Sequence, residues 1–185
     1  IYYYGIAGPL VNHGVISGEV PFAIFMHNSD KEISFGTVQT QVDVRTTSPT
    51  RSNVLTVTGG DVDRLRVRAT DTTLYTVTVD LAGNSLTAGI VSVEERGIIG
   101  NGTIRTMSWD STAGTILDGT SLILSDGGTV KLAPGQSFNR LEIASDDGRT
   151  ASWTMTATGT QAPIVTGLRS GSYLWYLDGV EQGEV

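Results

Sequence analysis

Apolar and polar positions alternate along most of the chain, the period of a strand with one buried face. Val38 to Val44 alternates, as do Asn53 to Thr58, Leu65 to Arg68 and Leu74 to Asp80, the last with threonine on one side. The same pattern marks Ile90 to Val93, Thr103 to Trp109, Ser121 to Leu124, Thr129 to Leu132, Leu141 to Ala144, Ser152 to Thr158 and Tyr173 to Leu177. No segment carries a useful helical stripe. Turn residues separate the strands, as at Gly59-Gly60-Asp61, Ala82-Gly83-Asn84, Gly100-Asn101-Gly102, Asp118-Gly119, Asp126-Gly127-Gly128 and Asp146-Asp147-Gly148. Short strands with such punctuation predict an all-β fold, an antiparallel β-sandwich or jelly roll. Pro21 to Met26 and Tyr173 to Leu177 are apolar without alternation, which suits strands covered on both faces.

Two polar stretches, Thr46 to Ser52 and Gln161 to Pro163, are candidate hinges, but neither separates two independent cores. No repeat stands out. The expected organisation is an N-terminal strand segment, residues 1–11, followed by one β-sandwich domain, residues 12–185.

Composition narrows the partners. Of the 185 residues only 17% are charged, against roughly 25% in ordinary soluble domains, and 25 threonines and 23 glycines take up the difference. The net charge is −7 with only two lysines, Lys31 and Lys131, which argues against nucleic acid and anionic membrane as partners. No apolar run approaches the roughly 20 residues of a membrane-spanning helix, so membrane insertion is not expected. The chain has no cysteine, so packing, pairing with neighbours or a metal must stabilise it rather than disulfides.

Catalytic signals are weak, and the expectation is that the chain is not an enzyme. His13 and His27 are its only histidines, and no Gly-x-Ser-x-Gly elbow, phosphate loop or zinc spacing occurs. Calcium is the one cofactor with candidate ligands. A hard cation takes loop carboxylates and carbonyls, and Asp61 with Asp63, on one side of an extended segment, and the paired acids Asp146 and Asp147 supply them. Trp109, Trp153 and Trp175 sit within alternating strands, which places them in the core rather than on a sugar-binding face. Asn101-Gly102-Thr103 is a glycosylation-type triplet that a tight turn explains equally well.

The start of the chain points to assembly. Ile1 to Val11 carries no charged side chain and does not begin with Met, as expected of a chain cut from a precursor. Native proteins blunt exposed sheet edges with Lys, Pro or charge. An apolar segment without charge suits addition to another subunit's sheet, with Ile1, Tyr2, Tyr3, Tyr4 and Ile6 as the inserted side chains.

With its Ile1-Tyr2-Tyr3-Tyr4 start and acidic turns at Asp61/Asp63 and Asp146/Asp147, the chain resembles subunits of archaeal extracellular tubes and threads of the cannula type. Phe25-Met26-His27-Asn28-Ser29-Asp30 to Phe35-Gly36-Thr37 is also similar to the start of camelysin/TasA fibre proteins. The resemblance implies a secreted jelly-roll subunit that polymerises with copies of itself by donor-strand complementation, with calcium bridging subunits. The expected function is therefore structural, in a cell-surface filament or tube. A virion structural protein (capsid decoration or tail domain) and a carbohydrate-binding or adhesin module are the alternatives.

Overall fold

A computed structural model describes residues 2–3, 9–27, 29–48, 50–70, 74–156, 161, 163–177 and 180–184. Its strands are β1 (Tyr2–Tyr3), β2 (Leu10–Val11), β3 (Val15–Ser17), β4 (Phe22–Met26), β5 (Lys31–Ser34), β6 (Thr37–Thr46), β7 (Asn53–Val57), β8 (Gly60–Ala69), β9 (Val77–Asp80) and β10 (Ser85–Val93). They continue with β11 (Gly97–Gly100), β12 (Thr103–Ser111), β13 (Thr115–Leu117), β14 (Ser121–Leu132), β15 (Arg140–Ala144), β16 (Trp153–Thr156), β17 (Ile164–Thr166), β18 (Leu174–Leu177) and β19 (Val180–Glu184).

Among the described residues β1 to β17 pair in parallel, and β18 and β19 form an antiparallel hairpin. The antiparallel sandwich or jelly roll expected from the sequence is therefore wrong. The chain is an all-β solenoid in which each turn of the backbone lies on the one before. The turn residues were read correctly as turns but not as corners. A hairpin turn sends the chain back along its neighbour; here each turn bonds sideways to the turn of the next coil. Gly83 N donates to Asn101 O at 2.8 Å. Asp80 Oδ1 accepts from Ala82 N and from Asn101 Nδ2, at 2.8 and 2.9 Å. Thr120 Oγ1 accepts from Asn101 N at 3.0 Å.

The inner coils have three faces. The long strands bend in the middle, which divides the largest sheet in two: β3 and β4 both pair with β6, and β15 and β16 both pair with β14. Face one holds β3, the first halves of β6, β8, β10, β12 and β14, and β15 and β17. Face two holds β1, β4, the second halves and β16. Face three is β2, β5, β7, β9, β11 and β13. At the bend two consecutive side chains point outward. Val62 and Leu65 are buried while Asp63 and Arg64 between them are exposed, and register shifts interrupt the pairing at Val38/Gln41 and Thr106/Ser108. The buried Thr106 holds its bend by accepting from Ser108 N at 3.2 Å, with its hydroxyl 3.1 Å from Gly89 O.

Stacking puts like residues over like. Phe22, Val42, Leu65, Val91, Trp109, Val130 and Met155 form one inward column on face two, each paired with the next. On face three Leu55, Val79, Ile99 and Ile116 do the same. All but the partly buried Ile116 and Met155 are core residues, most of them fully inaccessible. β4 is covered on both sides as predicted, with Phe22, Ala23, Ile24 and Met26 all buried.

Candidate functional site

The two ends of the stack are the least ordinary parts of the surface. β1, β2 and β3 make the first coil, and β16 and β17 belong to the last. None of these five strands contains a charged residue, so shortness, at two to four residues each, rather than charge guards these sheet edges. Apolar side chains are exposed at both ends: Val11 (49%) and Val15 (62%) at the first, Trp153 (38%), Ile164 (49%) and Val165 (39%) at the last. Val165 continues an inward column, pairing with the buried Ile143, which pairs with the buried Leu124.

Of the predicted interface residues, Tyr2 and Tyr3 are β1. They pair in parallel with Ala23 and Ile24 of β4 in the same chain, as the opening strand of face two. Ile1, Tyr4 and Ile6 lie outside the described residues.

The predicted calcium ligands fall on separate coils. Asp61 and Asp63 flank the buried Val62 and are both exposed on face one. Asp146 and Asp147 follow β15, four strands away through β10, β12 and β14, or about 19 Å at the ordinary strand spacing. The two pairs therefore do not share one ion. The Asp147 carboxylate accepts from Arg149 N at 2.6 Å, Thr150 N at 2.8 Å and Ser145 Oγ at 3.1 Å. Those backbone bonds, led by the one from Thr150, hold its pKa down at about 2. Among the described residues no group of three or more His, Cys, Asp or Glu is placed to hold a metal ion.

Face two carries a charged network that sequence reasoning missed. Asp43 lies between buried Val42 and Val44, points outward and is nevertheless fully inaccessible. Arg45 donates to its carboxylate, and Arg68 lies 3.4 Å away. Burial raises the pKa of Asp43, but hydrogen bonds and charge from Arg45 and Arg68 outweigh it and hold the carboxyl below its usual range. One coil on, Arg66 grips Glu94 through two bonds of 2.5 and 2.8 Å. Beside them runs a shallow polar depression lined by Gln41, Arg64, Ile90, Ser92 and Ser108.

Trp109 is buried as expected, its Nε1 donating to Ser111 Oγ at 2.9 Å. Trp153 is partly exposed, which corrects the core placement given it from the sequence; alternation cannot tell an end coil from an inner one. The side chain of Trp175 lies outside the described residues. His13 and His27 are both exposed.

No protein-family model matches this chain, and no curated protein or solved structure is significantly similar to it.

Proposed function

We propose that this chain is a structural subunit of a secreted, self-assembling cell-surface filament or tube. The observation that carries the reading is that the strands at both ends of the stack are uncharged and expose apolar side chains. A rod whose two ends differ, joined to copies of itself, extends without limit unless rotation closes a ring. Because Tyr2 and Tyr3 are paired within their own chain, this reading assigns polymerisation to the coil ends rather than to an exchanged strand. Calcium assistance belongs to the same reading and enters at Asp146 and Asp147, beside the last coils, rather than at Asp61 and Asp63 in mid-stack.

The test is negative-stain imaging with sedimentation of the purified chain, with calcium and with EDTA. Filaments or tubes of uniform width are expected. A protein that stays monomeric at all concentrations overturns the reading and favours a virion or adhesin module instead. Equal assembly in EDTA removes calcium alone.

A further inference from the structure

We infer that subunits join coil on coil, the last coil of one copy stacking on the first coil of the next, so that the polymer axis is the solenoid axis. This rests on the filament reading and names the surfaces it uses.

The occupant of each end is a second copy of this chain, for three reasons. The first is register. On face one a single inward column starts at Ile16 and runs through Val38, Val62 and Ala88. Thr87 pairs with Arg105, which sets Ala88 beside Thr106, and the column goes on through Leu124 and Ile143 to Val165. A parallel sheet edge is complementary to its own opposite edge, so Val165 of one copy meets Ile16 of the next with the spacing that already joins every inner coil. The second is size. Successive coils on face two take 26, 18 and 21 residues (65 to 91, 91 to 109, 109 to 130), close to the roughly 20–30 residues each partner gives a stable interface. The third is the uncharged sequence of the strands at both ends, which leaves no like charges opposed across the joint.

The absence of cysteine makes the test clean. Ile16→Cys and Val165→Cys, combined in one chain, lie seven strand steps apart, about 33 Å, too far to bridge within a molecule. Oxidation during assembly should give a ladder of covalent multimers on a non-reducing gel, at least tenfold stronger than the dimer from either single variant. Filaments that form without the ladder overturn coil-on-coil stacking and leave the filament reading standing. A strong dimer from one single variant also overturns it, because like ends then meet. A chain that forms no filament removes both. As a single variant at the end of the inward column, Val165→Lys puts a charge where the joint would bury it and should shorten filaments at least tenfold. Normal filaments from Val165→Lys count against the contact.

Discussion

Gln161 brackets Phe138. Its Oε1 accepts from Phe138 N at 2.9 Å and its Nε2 donates to Phe138 O at 2.6 Å. The side-chain amide stands where the next strand of face three would be. Face three ends at β13, and Phe138 packs edge to face on the buried Trp109, with ring centroids 5.1 Å apart. Gln161→Ala leaves the Phe138 amide and carbonyl without these bonds near the core. The expected loss is about 1–3 kcal/mol in urea unfolding, and Gln161→Glu should recover little of it because a carboxylate cannot donate to Phe138 O.

Trp109 is the fifth of seven residues in the inward column of face two and is fully buried. Trp109→Ala should cost about 3–5 kcal/mol. Thermal unfolding by circular dichroism measures it. A loss below about 1 kcal/mol would show that this column is not the packed core.

The bend at Gly89 leaves no room for a side chain. A Cβ there would stand 2.6 Å from the Asp63 carbonyl oxygen, which belongs to the neighbouring coil's backbone. Gly135 meets nothing within 4 Å, though its φ of +82° disfavours other residues. Gly89→Ala should therefore lower the melting temperature more than Gly135→Ala, whose cost is the left-handed backbone alone, about 1 kcal/mol.

Asp43 and Asp147 both have folded pKa values below their unfolded ones. Their stabilisation is present above the unfolded pKa of about 3.9 and is lost as pH falls through the folded values. Stability should thus hold from neutral pH to about 5 and fall below about 4. Asp43→Asn strands two arginines against a neutral amide and should cost about 3 kcal/mol at pH 7. The gap from wild type should narrow as pH drops from 4 to 2, when wild type loses the same charge. A gap that widens on acidification would contradict the assignment.

Much of the local structure was legible. Asn53 to Thr58 contains β7, Thr103 to Trp109 lies in β12, and Asp61 and Asp63 do share a side of their strand. Pairing direction was not, because an alternating strand reads the same in a parallel or an antiparallel sheet. Gly100-Asn101-Gly102 also looks the same as a hairpin turn and as a coil corner. The clue was the slip in alternation, Val62-Asp63-Arg64-Leu65 and Thr106-Met107-Ser108-Trp109, where two outward residues mark a bend. The repeat stayed hidden because its length varies, at the corners and at the bends of the long strands, both of which lie outside the columns. Ser121 to Leu124 and Thr129 to Leu132 read as two strands but form the halves of β14, bent at Asp126-Gly127-Gly128. Asp43 gave no signal of its own, since an outward acid in a strand predicts a wet carboxylate.

The hydrogen bonds between coils all point along the length of the stack. Tension applied through the two chain ends therefore loads these rungs singly rather than shearing a whole sheet at once. Such a rod should yield by unwinding turn after turn at modest force, lengthening greatly before it breaks.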